Sequence, residues 1–453
     1  MLYSRSVRAG ALAFVLSVSP AVVAHAESLR AALTSAYLND PDILSALLAV
    51  KSTAEGIALA KSEKLPTISA GGAVGDGFTT GPGASTSLPS VSWNASYSQT
   101  LFDNLKSVAD IEASRALAEA SRYGLQSAEE NVLLQVVTAY FTVIEDQQLV
   151  QLAEENDKFF QAQVDSANDR LKIGEGTKID LSQAQARLAQ GTASYQIAIA
   201  NLQTAQALYQ RYVGHKPGTL TSSYKLGSLL PATVDAAVAR AMSDNPTILG
   251  AKATIRARQA NSDAANAAFG PTLALVGSIG ATPINPTSGT SADPSGKVSL
   301  SLNVPLYSGG RLGAGVRQAN LNEIKSEVDA ATARDTITQA VVTAWSQMTS
   351  ARAQITSSNS AVSAGQLALS GVQQERDVGQ ATTLDVLNSQ SDLITSQQSQ
   401  IQATAQAAIA AFTVVSDTGH LTAADLGLDV TVRTGEDYIA KVEDVWAELR
   451  KLD

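Results

Sequence analysis

Side chains able to do covalent or metal chemistry are sparse in this chain of 453 residues. There is no cysteine, which excludes disulfides, thiolate nucleophiles, zinc–thiolate sites and a lipidated N-terminal Cys. Beyond residue 26 two histidines remain, His215 and His420, each following a glycine at a helix end. They stand too far apart for the spacing that sets two ligands on one helix face, so exposed turn residues are expected, with a metal pair as the alternative. Gly75-Asp76-Gly77 lacks the third glycine of a dinucleotide loop, and Gly296-Lys297 lacks the earlier glycine of a phosphate loop. The scattered carboxylates suit a solvated helix face. No catalytic constellation is present, so the chain reads as a non-enzyme that uses no cofactor and no metal.

A net charge of −10 argues against a nucleic-acid partner, which needs clustered Lys and Arg. Charged residues are only 16% and aromatics 5%, while hydrophobic residues reach 45%. Ala, Ser, Gln and Thr make up the difference and predict long helices packed through small side chains. At the N-terminus Arg5 and Arg8 precede an apolar run, Ala9 to Val23, and then Ala24-His25-Ala26. This is the pattern of a secretory signal over residues 1–26, with Glu27 as the first mature residue. After residue 26 no apolar run is expected to be long enough for a spanning helix.

The elements that would position any site are written twice. Asn39-Asp40-Pro41 returns as Asp244-Asn245-Pro246, an offset of 246 − 41 = 205. The same offset carries Leu101-Phe102 onto Leu306-Tyr307, Val137-Thr138-Ala139-Tyr140 onto Val342-Thr343-Ala344-Trp345, Gly174 onto Gly379 and Asp180 onto Asp385. A tandem repeat is expected, first copy 27–231 and second copy 232–419, followed by a C-terminal segment 420–453. Proline is absent between Ser90 and Lys216 and after Pro305, which leaves room for helices over 106–171 and 179–213, and over 311–376 and 383–416. Residues 106–171 would span ~100 Å, and 41–64 (~36 Å) with 179–213 (~53 Å) would stack end to end beside them as an antiparallel rod. Within the tail, Ile439, Val442, Trp446 and Leu449 share one face of a docking helix over Glu436–Leu449.

Between the helices, period-two alternation predicts strands at about 66–75 and 91–101, and at about 271–281 and 297–307. Trp93, Tyr97, Leu300 and Leu302 fall on the apolar face, Ser and Asn on the other. Gly/Ser/Pro-rich loops, Asp76 to Pro89 and Thr282 to Gly296, would join each pair. Such strands suit a membrane barrel wetted inside, but four per chain are too few to close one, so several chains must share it.

With these residues in view, the chain resembles the TolC-like outer-membrane channel proteins of Gram-negative bacteria. The doubled unit carries the likeness, with the junctions Leu101-Phe102-Asp103-Asn104 and Val304-Pro305-Leu306-Tyr307-Ser308-Gly309-Gly310. So do the turns Gly174-Glu175-Gly176-Thr177-Lys178-Ile179-Asp180-Leu181 and Val378-Gly379-Gln380-Ala381-Thr382-Thr383-Leu384-Asp385. The resemblance implies an α+β membrane protein: a homotrimer closing a twelve-strand barrel in outer-membrane lipid, continued by an α-helical periplasmic tunnel. It implies an exit duct for multidrug efflux or type I secretion, opened by a periplasmic adaptor protein and an inner-membrane transporter, ABC or proton-driven. Gly174, Gly176, Thr177, Gly379 and Thr382 would meet the adaptor, or serve turn geometry alone, the glycines turning tightly with φ > 0. Asp385 would ring the closed pore, with Asn388 in place of a second acidic ring and Arg376 reaching Asp180 as a tie; the alternative is that Asp385 merely caps or solvates the start of its helix. A secreted coiled-coil or filament protein is the alternative, and the four strands argue against it.

Overall fold

The structure, a computed structural model, describes residues 27–81, 84–284 and 294–443. The signal segment, Trp446 and Leu449 lie outside the described residues. Helices α1 (Leu29–Asn39) and α2 (Pro41–Ser62) lead into strands β1 (Thr67–Gly81) and β2 (Ala84–Phe102). The long helix α3 (Lys106–Lys172) and its return α4 (Lys178–Val213) complete the first copy. The second copy repeats the plan as α5 (Val234–Asp244), α6 (Pro246–Ala267), β3 (Thr272–Ile284), β4 (Pro294–Asn303), α7 (Arg311–Asp377) and α8 (Thr383–Asp417). A short helix α9 (Glu436–Glu443) ends the described chain.

Local chemistry sets the boundaries. Asp40 accepts the Asp42 N–H at 2.8 Å and Asn245 the Thr247 N–H at 2.9 Å, each capping a helix that begins with proline. The shorter helices stack along the long ones: Ser35 Oγ donates to the Val213 carbonyl at 2.9 Å, and Asn245 Nδ2 to the Asp417 carbonyl at 2.9 Å. The two copies are nevertheless not separate rods. Helix α3 packs on α2 and α4 of its own copy and also on α6 and α8 of the other. Its apolar stripe, with Leu133, Val136, Val137, Tyr140 and Val143 fully buried, forms the main core together with Tyr37, Tyr209, Phe412 and Leu421. Dispersion and area burial concentrate at this mid-level belt.

The four strands form one antiparallel sheet in the order β1-β2-β3-β4. Register places Ile68 opposite Tyr97, Val74 opposite Val91, Leu275 opposite Leu300 and Leu273 opposite Leu302, all on one face. No described element covers that face: Ile68 is 77% exposed, Val74 83%, Leu300 65% and Leu302 65%. The other face carries Ser69, Ser96 and Ser278 in line, with Ser69 Oγ and Ser96 Oγ 2.6 Å apart. Two expectations need correction. Asp76 to Pro89 is not a loop, because β1 and β2 stay paired up to Gly81 and Ala84, with Asp76 opposite Pro89. Strand β4 runs Pro294–Asn303, so it begins inside the expected loop and ends before Leu306, which is 93% exposed. Proline at 305 cannot donate to a ladder, which ends the pairing there.

Candidate functional site at the helix-turn tips

At the end of the molecule remote from the sheet, α3 reverses into α4 and α7 into α8. Both turns have one construction. Gly174 (φ +82°) and Gly379 (φ +78°) take the left-handed conformation that ends a helix. The next two amides fold back on the last helical turn: Glu175 and Gly176 N–H donate to the Arg170 carbonyl at 2.9 and 3.0 Å, and Gln380 and Ala381 to Glu375 at 2.8 and 3.3 Å. Gly176 differs from the expectation, since it is absent from the positive-φ residues. A Cβ there would lie 3.1 Å from the Leu171 nitrogen, and the equivalent position in the second copy is Ala381.

Thr177 and Thr382 open the return helices with reciprocal caps. Asp180 Oδ2 accepts from the Thr177 N–H at 3.0 Å and its hydroxyl at 2.6 Å, while Asp180 N–H donates to Thr177 Oγ1 at 3.1 Å. In the second copy Asp385 Oδ2 accepts from Thr382 N–H at 2.8 Å and Oγ1 at 2.7 Å. The hydrogen bonds from the Thr382 hydroxyl and then its amide hold the exposed Asp385 carboxyl below its ordinary range.

The expected tie between Arg376 and Asp180 does not form. Arg376 Nη1 donates to Gln163 Oε1 at 2.8 Å and its Nη2 to Asp377 Oδ1 at 2.8 Å, while the Asp180 carboxylate is committed to its cap. Asn388 is instead reached by Arg187, whose Nη2 donates to Asn388 Oδ1 at 3.1 Å. Deeper in, Gln390 Nε2 donates to Asn156 Oδ1 at 3.4 Å between buried side chains. Three links therefore join the second-copy helices to the first near the tips. Their first-copy partners Gln163, Arg187 and Asn156 were missed, because helical periodicity does not say which faces of different pairs meet. Also missed were Ile173 (70% exposed) and Val378 (71% exposed), aliphatic side chains at equivalent places beside the turn glycines. Their pairing at the repeat offset was the available signal.

Elsewhere, Trp93 (44% exposed), Leu300 and Leu302 lie on the uncovered sheet face, and the Tyr97 hydroxyl donates to Gln99 Oε1 at 2.7 Å. The histidines part company. His215 is exposed, 3.5 Å from Glu27, whereas His420 is largely buried between Asp244 (3.1 Å) and Asp425 (3.3 Å). Among the described residues no group of three or more His, Asp or Glu is placed to hold a metal.

The sequence pattern of a family described as "Outer membrane efflux protein" matches residues 32–215 and 237–420, one match per copy. The chain is 35% identical over 432 residues to the outer membrane efflux protein BepC of Brucella suis biovar 1, covering 94% of this chain and 93% of that one. It is 24% identical over 424 residues to the outer membrane protein TolC of Escherichia coli K12, covering 89% and 84%. The outer membrane channel CmeC of Campylobacter jejuni superposes with a TM-score of 0.77 at 15% identity, over 93% of this chain and 90% of that one.

Proposed function

The chain belongs to the outer membrane efflux protein family, and from that premise we propose that three copies close into the exit duct of a tripartite efflux or secretion assembly. The observation that carries this reading is the pair of unlike, uncovered edges on each chain. On one side stand β1 and α2, with Leu44, Leu48 and Leu59 48%, 55% and 70% exposed. On the other stand β4 and α7, with Leu321, Ile324 and Val328 66%, 55% and 60% exposed. An open sheet edge in lipid leaves backbone groups without partners, at several kcal/mol each, and unlike edges that pair head to tail close into a ring. Twelve strands then form the barrel, with the apolar face toward lipid and the Ser/Asn face toward water.

The tips serve as the gate and the docking end. In the trimer the Asp385 carboxylates, drawn below their ordinary range, form a threefold acidic ring that favours cations at the closed mouth. Arg376–Gln163 and Arg187–Asn388 hold the second-copy pair against the first. Gly174, Thr177, Gly379, Thr382 and the exposed Ile173 and Val378 offer each adaptor hairpin two similar sockets. The adaptor in turn couples the duct to an inner-membrane transporter.

The internal repeat specifies how chains meet. Within one chain α6 packs on α3 with Gly250 beside Tyr123, where an added Cβ would lie 3.4 Å from the Tyr123 Cβ. Shifting each residue by the repeat offset pairs Ser45 of α2 with Val328 of α7 in the next chain. The protein lacks cysteine, so Ser45→Cys combined with Val328→Cys is a clean probe. Oxidation in membranes should give covalent dimer and trimer ladders that neither single variant gives. Monomer alone from the double variant would overturn the proposed assembly.

A further inference from the structure

Two adjacent acids lie buried in the mid-level belt, far from the tips and from the sheet. Glu129 and Glu130 of α3 are each 4% exposed. Glu129 Oε1 accepts the Ala423 N–H at 2.6 Å, which ties α3 to the chain leaving α8. Glu130 Oε1 is enclosed and has no hydrogen-bond partner, and a hydrogen bond from the Gln126 side chain to the Glu130 carboxyl offsets only part of the cost of burial.

Every charge acting on Glu130 has the same sign. Glu129, Asp425 and Asp417, the last at the end of α8, face it. Glu129 in turn faces Asp425 and lies near the Tyr37 phenol. Of the nearby basic side chains, Arg122 pairs through Nη2 with Glu436 while its buried Nε has no partner, Arg433 donates to the Tyr37 and Leu38 carbonyls, and the His420 ring lies between Asp244 and Asp425. Arg122, Arg433, Glu129 and Asp425 all line one cavity of about 240 Å³, and Glu130 is not among its lining residues. A proton on Glu130 removes the repulsion of a buried carboxylate that faces only other acids.

The same spot is where α8 is seated. The Asp417 carbonyl accepts from Asn245 Nδ2 at 2.9 Å, and Gln126 Nε2 donates to the Gly419 carbonyl at 3.5 Å. Gly419 (φ +83°) approaches so closely that a Cβ would stand 2.6 Å from the Asp244 carbonyl oxygen. From this seat α8 runs ~50 Å to the Asp385 tip, so a loosened base is felt as a displaced tip.

We propose that Glu130 is carried as a neutral carboxylic acid whose proton keeps the turn after α8 seated on α3, so that alkaline pH unseats the base of α8. Burial accounts for the range, pushing Glu130 up to about 9, Glu129 to about 7 and Asp417 to about 6. Because these values are raised on folding, the stabilisation is complete below about pH 4.5 and is lost as pH rises toward 9.

The test is amide hydrogen exchange across residues 415–428 of the detergent-solubilised protein, from about pH 6 to 9, corrected for base-catalysed chemistry. In the wild type, protection should fall by up to about tenfold per pH unit as the acid ionises. Glu130→Gln, which keeps the shape without the charge, should hold protection constant. An identical pH profile in the two proteins overturns the proposal. Infrared spectroscopy of the wild type alone guards against a variant that fails to fold. A protonated-carboxyl stretch at neutral pH that disappears on alkalinisation supports the neutral acid, and its absence overturns it.

Discussion

Helices α3 and α7 are the same element in two copies, both of 67 residues, yet they live in different surroundings. Val137 of α3 is fully buried, while Val342, its counterpart on α7, is 44% exposed. Glu130 is 4% exposed, and its counterpart Asp335 lies on the surface. The difference comes from what each copy covers. Helices α6 and α8 of the second copy close over α3, whereas α7 packs chiefly on α5, α6 and α8 of its own copy and has no first-copy helix laid along it. The face of α7 left exposed is the one that the proposed assembly would cover with the next chain.

Breaking the comparison at its strongest point should have the largest effect. Val137→Asp would bury an unpaired carboxylate in the main core, at a cost of about 3–5 kcal/mol or more. We expect no protease-resistant protein from that variant. Val342→Asp should leave the protomer helical by circular dichroism and lower the yield of trimer on native gels. Equal behaviour of the two variants would mean that α7 is covered within its own chain.

The plan of the molecule was legible because its punctuation is local. Asp40-Pro41, Gly174 and Thr382 act within a few residues of themselves, so the long helices end within a residue or two of expectation. What could not be read depends on neighbours in space. The hairpin of β1 and β2 extends through Gly and Ser residues that look like a loop, since strand pairing, not composition, decides. Glu129 and Glu130 look like solvated helix surface until the C-terminal segment covers them. Arg376 faces Gln163 instead of Asp180 because the direction of a long side chain follows how two helix pairs lie together, which periodicity leaves open.

The links between copies give a second, smaller contrast. Arg376 is mostly shielded, with a side chain 15% exposed, and its bond to Gln163 spans the two copies. A charge-assisted bond of that kind contributes about 1.5–3 kcal/mol, whereas an exposed one such as Arg187–Asn388 contributes less. In planar bilayers Arg376→Ser should raise resting conductance, and Arg187→Ser should raise it less. The reverse order would make the Arg187 contact the principal tie.

The smallest effect sharpens the comparison at the strand-to-helix junction. Both copies enter the long helix through two consecutive left-handed residues: Gly309 (φ +60°) and Gly310 (φ +81°) in the second, Asn104 (φ +57°) and Leu105 (φ +69°) in the first. Glycine adopts this conformation freely, and asparagine tolerates it. Asn104 is further fixed by donating to the Ala267 carbonyl at 3.1 Å. Leucine has no such support and carries roughly 1–2 kcal/mol of strain from its Cβ. Leu105→Gly should therefore stabilise the protein by about 0.5–1 kcal/mol, after the entropy lost in fixing a glycine. Gly310→Leu should destabilise it by about 1–2 kcal/mol. Urea midpoints of the detergent-solubilised protein would report both. The Leu105 side chain is 67% exposed in the single chain and stands directly below the sheet. A loss of stability in Leu105→Gly would therefore mean that the leucine rests in the lipid interface or on the next chain, with contacts that outweigh its strained backbone.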